Sequence, residues 1–356
     1  LYATAVKFGY SFLLMFIPSC LFGITLPMVI KICSHKLENL GKDAGFVSAI
    51  ESFGSTIGPI VTGFLLIGLL GFQNSTILLC LMNLSVGITL IAVYKFKKPI
   101  RKVYTILPVI IIMVVLFIFL PGWDKLIMSK PIKTEFLSEA HSRITLLMYE
   151  ENKNGITSVL KDDVENVKYL VTNRLYSQNT SIMGGLQDHR RLGYIPSLLH
   201  NSPDSALVIG LGAGITLDGV QDTGIKNIDC VEISESVIEA AKFFSEENND
   251  IINNPDINFI VDDGRNFVST TNKKYDVIIG DILHPMSSGT GSLLTKEYFE
   301  LTRERLNTGG IFCQWLPLHQ HTLTEIKIIS NTFRQAYPES SLWYGMIGTS
   351  VPVVGL

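Results

Sequence analysis

The sequence predicts a two-part protein, with several membrane-spanning α-helices followed by a doubly wound parallel α/β domain that has a small antiparallel β-meander in front of it. Three observations carry this expectation. Of 356 residues 47% are apolar and only 17% charged, with a mean hydropathy of +0.33, which is too apolar for an ordinary soluble chain and far too apolar for a disordered one. The excess is uneven, because four long apolar runs fall before residue 140 and the remainder reads as a normal globular domain. Beyond Pro203 an apolar strand, a Gly-rich turn and a helix alternate several times, the pattern of a parallel sheet covered by helices on both faces.

Charge and cysteine usage narrow the function classes. Residues 1–140 carry 12 Lys and Arg against 6 Asp and Glu, and the remainder 17 against 26, so the soluble part is acidic and does not read as a nucleic-acid surface. The five cysteines, Cys20, Cys33, Cys80, Cys230 and Cys313, are scattered without a C-x-x-C pair; they suggest neither a disulfide framework nor a zinc site. The chain starts at Leu1 and stops at Val353-Val354-Gly355-Leu356 in what reads as the middle of a strand. It is therefore expected to be a fragment, with further helices upstream.

A bilayer-spanning helix needs roughly 20 mostly apolar residues, and candidates lie at 6–30, 44–70, 73–94 and 104–120, which makes residues 1–122 the membrane part and 123–141 a linker. Gly54, Ser55, Gly58, Gly63 and Gly68 crowd the second span and allow close helix approach. Glu51 lies inside that span, either as a functional intramembrane carboxylate or as a local cap or partner near the interface. The loops Lys31 to Lys42 and Lys95 to Lys102 hold three and five basic residues, which places both in the cytoplasm by the positive-inside rule. A full crossing of 104–120 would then put the soluble domain on the far side, whereas a re-entrant segment would keep it cytoplasmic.

Between 142 and 182 short alternating stretches, Arg143 to Tyr149, Ile156 to Leu160 and Val167 to Val171, are separated by turn-rich pieces and read as a β-meander. A helix is expected at 186–200, opening a domain that spans 183–356. Its first unit is the strand Ala206 to Ile209 followed by Gly210-Leu211-Gly212-Ala213-Gly214 and a helix. Glycines there permit a tight turn and a close ligand approach, and the following helix offers free N–H groups. The second strand ends in Glu232, a position from which a carboxylate can accept both hydroxyls of an adenosine ribose, or simply remain solvated. A third strand ends before Asp262-Asp263-Gly264-Arg265, where an Asp can accept from an adenine amino group or form an Asx turn. The fourth, Tyr275 to Gly280, runs into Asp281; strand carboxyl ends are where ligands sit in such sheets, so Asp281 is the leading candidate for chemistry. His319 and His321, at i, i+2 in a Pro-bounded loop, read as surface or packing residues, and no metal site is expected.

These stretches, Val208 to Thr216, Val231-Glu232-Ile233, Asp263-Gly264-Arg265, Asp281 with Pro285, Leu294 to Phe299 and Gly309 to Pro317, together resemble the spermidine synthase family of polyamine aminopropyltransferases. The membrane stretch Pro27 to Leu66 is similar to the membrane-fused bacterial members. The resemblance implies a Rossmann-like domain of the class I methyltransferase type, an inner-membrane protein whose soluble domain is cytoplasmic, and a homodimer. It also implies no prosthetic group, with decarboxylated S-adenosylmethionine as co-substrate and an amine as acceptor. By that resemblance Asp281 is the general base, Gly210, Gly212 and Gly214 hold the aminopropyl and ribose portions, Glu232 the ribose hydroxyls, and Asp263 with Gly264 the adenine. His284 and His189 are the expected acceptor contacts.

The sequence departs from the family at three places. Ala213 stands where these enzymes carry an Asp that pairs with the donor amine, His284 replaces the second Asp of the Asp-x-x-Asp-Pro motif, and His189-Arg190-Arg191 stands where the family has Tyr-His-Glu. Two arginines would repel a cationic polyamine. Two alternatives follow: a methyltransferase using intact S-adenosylmethionine, and a transporter-like or sensory membrane protein that binds a nucleoside or polyamine without turning it over.

Overall fold

The structure is a computed structural model that describes residues 2–34, 37–93, 107, 108, 110, 111, 114, 122–131, 143–180, 186–281, 289–347 and 351–355. The chain divides into two compact units, Leu1–Asn83 and Leu84–Leu356.

The apolar runs form long helices, α1 (Tyr2–Cys33) and α2 (Leu40–Val61), the latter passing through a π-helical turn at Thr62–Leu66 into α3 (Ile67–Val93). The wide turn follows Pro59, which lies inside α2 and cannot donate to the i−4 ladder. Two stretches, Ala5–Cys33 and Leu40–Leu90, are long and apolar enough to cross a membrane. An unbroken helix of the second length would extend about 77 Å, more than twice a bilayer's ~30 Å hydrocarbon core. It is broken at Gly71, with φ 77° and ψ 172°, where the sequence predicts the turn between spans two and three. The fourth expected span, 104–120, lies largely outside the described residues.

In the second unit a short helix α4 (Lys125–Ser129) falls within the expected linker, its first N–H groups capped by Asp124. Four strands follow, β1 (Ile144–Asn152), β2 (Gly155–Asp162), β3 (Val167–Thr172) and β4 (Leu175–Asn179), in the order β1-β2-β3-β4 with antiparallel neighbours. Period-two patterning does not resolve β4 as a separate strand, because Leu175–Asn179 is only five residues long and sits close to the preceding turn.

After α5 (Leu186–Leu199) comes the main sheet. Its strands are β5 (Ser205–Ile209), β6 (Asn227–Glu232), β7 (Ile257–Val261), β8 (Tyr275–Gly280), β9 (Leu306–Pro317), β10 (Trp343–Ile347) and β11 (Val351–Gly355), in the order β10-β11-β9-β8-β5-β6-β7. From β9 to β7 all neighbours are parallel, whereas β11 runs antiparallel to both β9 and β10. The connecting helices are α6 (Ile215–Gln221), α7 (Glu235–Ala241), α8 (Gly264–Thr270), α9 (Lys296–Glu304) and α10 (Leu323–Ala336). Ala206, Val208, Val277 and Ile279 pack with Ile215, Leu217 and Val220, and Leu207, Ile209 and Ile278 pack with Tyr298, Phe299 and Phe333. Burial on both faces is why these strands read as continuous apolar runs. The strand order reverses between β5 and β8, and ligands of such sheets sit beyond the carboxyl ends at that point.

Candidate active site

The β5 to α6 turn and the end of β8 meet at the reversal. The Gly210 N–H donates to the Val231 carbonyl oxygen at 2.9 Å, and the Asp281 N–H to that of Ile209 at 2.9 Å. Gly210 has φ +94°, and a Cβ there would stand 2.4 Å from the Asp281 carbonyl oxygen. Only glycine meets both conditions. Gly210→Ala is accordingly expected to destabilise the domain by at least about 2 kcal/mol, from left-handed strain and a backbone clash together; thermal unfolding of the variant checks this.

Gly212 and Gly214 complete the turn with φ +55° and +81°. A Cβ on Gly212 would run into Gln178, whose side chain reaches over from β4 and whose Oε1 accepts the Ala213 N–H. Asn248 Nδ2 donates to the Ala213 carbonyl oxygen at 2.8 Å. Gln178 is buried, and its Nε2 has no hydrogen-bond partner among the described residues. Sequence reasoning missed this residue, since a single Gln in a short strand carries no local signal of the turn it touches.

Glu232 closes the other wall. Its Oε2 accepts the Leu211 N–H and its Oε1 the Ser234 N–H, each at 3.0 Å, which leaves each oxygen capacity for a further donor. Burial pushes its carboxyl above the ordinary range against these backbone bonds. Asp263 caps α8, its Oδ1 accepting the N–H groups of Arg265 and Asn266 at 2.9 and 3.1 Å, so the Asx turn foreseen as an alternative is present. Gly264 follows as the first residue of that helix, packed against Ile209.

Asp281 is buried at the switch point. Its Oδ2 accepts the Thr216 hydroxyl at 2.7 Å and faces His189 Nδ1 at 3.8 Å, while Oδ1 is buried with no hydrogen-bond partner among the described residues. Burial raises its pKa, opposed by His189 and Thr216. The His189 ring, on α5, stacks obliquely on Trp315 at 5.5 Å between centroids. Burial lowers its pKa, so the site at neutral pH holds a neutral imidazole beside a carboxyl group. His284 lies outside the described residues.

One expectation is corrected. Arg190 and Arg191 do not present two unpaired cations to the site. The Arg190 guanidinium pairs with the fully buried Asp218 and donates to the Glu247 carbonyl oxygen at 3.0 Å, whereas Arg191 is exposed and pairs with Asp188 at 3.0 Å. Successive residues on a helix point about 100° apart, which sends the two cations to different partners and neither to Asp281. A cavity of about 840 Å³ lined by Leu192, Ile195, Ile311, Cys313 and Trp315 holds none of the glycine-turn residues, Glu232, Asp263 or Asp281. Among the described residues no three His, Cys, Asp or Glu side chains are placed to hold a metal ion.

The parallel sheet with its reversal, the glycine turn and the acidic strand ends define a Rossmann-like α/β domain of the methyltransferase type. Residues 186–350 match the family described as the spermine/spermidine synthase domain. The chain is 38% identical over 149 residues to a polyamine aminopropyltransferase of Methanocaldococcus jannaschii, covering 42% of this chain and 50% of the relative. It is 36% identical over 126 residues to one of Serratia proteamaculans, covering 35% and 44%. The chain thus spans about half the length of the curated relatives it matches. The crystal structure of spermidine synthase from Thermotoga maritima shares the fold, with a TM-score of 0.52, 19% identity, and coverage of 59% of this chain and 72% of that one.

Proposed function

We propose that this chain is an aminopropyltransferase that moves an aminopropyl group from decarboxylated S-adenosylmethionine to an amine. The observation that carries the reading is Asp281, buried where the strand order reverses, with one carboxylate oxygen held by Thr216 and the other without a hydrogen-bond partner among the described residues. Glu232 accepts the ribose hydroxyls, Asp263 Oδ2 and the adjoining backbone meet the adenine, the glycine turn admits the sulfonium, and Gln178 Nε2 supplies a further donor to the nucleoside. The acceptor amine must be neutral to attack. Asp281 Oδ1 orients it and takes its proton as the nitrogen bonds to the methylene next to sulfur; the C–S electron pair returns to sulfur and methylthioadenosine leaves. Arg190, neutralised by Asp218, does not oppose a cationic acceptor. The long apolar helices of the first unit anchor the enzyme in a bilayer.

The test is mass spectrometry of products from the chain incubated with decarboxylated or intact S-adenosylmethionine and a panel of amines. Methylthioadenosine together with an aminopropylated amine is the expected result; adenosylhomocysteine would instead establish methyl transfer, the second reading that Ala213 favours by leaving room for the donor carboxylate. Absence of both products sinks the enzyme reading.

The same reading predicts a pH profile. Asp281 acts as base only when ionised, and burial raises its pKa, so turnover falls with decreasing pH at a limb above the ordinary carboxylate range. Log kcat/KM against pH checks the position of the limb.

A further inference from the structure

The tip of the β1–β2 hairpin is seated on the segment that follows Glu232. Asn154 Nδ2 donates to the Ile233 carbonyl oxygen at 2.8 Å, and Asn152 Nδ2 to Ser236 Oγ at 3.0 Å. Ser236 Oγ also lies 2.7 Å from Thr157 Oγ1 and 2.8 Å from Ser234 Oγ. Thr157, Ser234 and Ser236 are all buried. The chain of contacts ends on the nucleoside wall, because the Ser234 N–H is the one that holds Glu232 Oε1.

Ser234 shows that this network outcompetes a local preference. It is the N-cap residue of α7 yet makes no side-chain cap hydrogen bond, although serine hydroxyls there ordinarily accept from the first turn. Its hydroxyl is turned to Ser236 instead. The hairpin itself is held in shape by Asn173, whose Oδ1 accepts the Ile156 N–H at 2.9 Å and whose Nδ2 donates to the Asn154 carbonyl oxygen at 3.0 Å. The small sheet therefore touches both walls of the crevice, with Gln178 on the glycine turn and Asn152, Asn154 and Thr157 on the Glu232 segment.

We propose that Thr157, through Ser236 and Ser234, is a positioning residue that sets nucleoside affinity by fixing the Glu232 carboxylate. It touches neither reactant and takes no part in proton transfer. This rests on the reading of Glu232 as the ribose acceptor. A hydroxyl buried without its partner is free to rearrange, and loss of one buried hydrogen bond is of the size that changes affinity about tenfold.

The experiment measures the Kd of methylthioadenosine by calorimetry, and the donor KM and kcat, for the full chain and for Thr157→Val and Thr157→Ser. Thr157→Val keeps the shape and removes the hydroxyl, so Kd and KM rise about tenfold with kcat at saturating donor unchanged; Thr157→Ser restores the hydroxyl and stays within about twofold. Asn154→Ala, at a half-buried turn position, is expected to raise Kd without impairing folding and serves where Thr157→Val does not fold. Unchanged Kd in both Thr157→Val and Asn154→Ala, or a lower melting temperature with wild-type Kd, overturns the proposal while leaving the nucleoside reading intact. A wild-type chain that does not bind methylthioadenosine overturns the nucleoside reading and the proposal with it.

Discussion

Asp281→Asn is expected to lower kcat by about 10²–10⁴-fold, the span of a positioned general base, while donor affinity stays within a few-fold. Asparagine preserves the shape and can still accept the Thr216 hydroxyl that now reaches Oδ2 at 2.7 Å, so the pocket does not collapse. What it loses is the capacity to take a proton from the attacking amine. The buried Oδ1, without a hydrogen-bond partner among the described residues, makes the loss specific, since no other described acid stands at this strand end. Measuring kcat and methylthioadenosine affinity together decides the matter: an Asn variant with wild-type turnover removes Asp281 from the chemistry.

Arg190→Met is expected to cost about 3–5 kcal/mol of stability, the range for removing one partner of a buried ion pair. Asp218 is fully buried and accepts from Arg190 and, at 2.9 Å, from Asn249 Nδ2. Burial already raises its pKa, with Asn249 and Arg190 holding it down. Without the guanidinium that pKa climbs further. An acid with a folded pKa above its unfolded one destabilises the fold when ionised, so the variant's deficit is largest at neutral pH and shrinks as the pH falls through the raised value. Denaturant midpoints at two pH values test the sign, and the pair Arg190→Met with Asp218→Asn should recover part of the loss because no buried charge is then left unmatched. A deficit independent of pH would show that packing rather than the ion pair is responsible.

Much of the site was legible because its signals are local. Gly210, Gly212 and Gly214 mark a strand-to-helix turn, and Glu232, Asp263 and Asp281 each follow an apolar strand within a few residues, so their position at the carboxyl edge of a parallel sheet follows from strand direction alone. Partners distant in the chain decided the remainder. Charge counting made Arg190 and Arg191 an obstacle to a cationic acceptor, whereas the crossing of α5 over α6 hands Arg190 to Asp218.

What the sequence by itself determined is therefore the order of elements, the break of the long helix near Gly71 and the acids at the strand ends, since periodicity and glycine placement act over a few residues. Only the tertiary structure decided that Gln178 reaches the Ala213 amide, that His189 and Thr216 frame one carboxylate, and that the β1–β2 hairpin braces the Glu232 segment. Those contacts join residues tens of positions apart, and nothing in the spacing of either partner encodes them until the sheet and its flanking helices have packed.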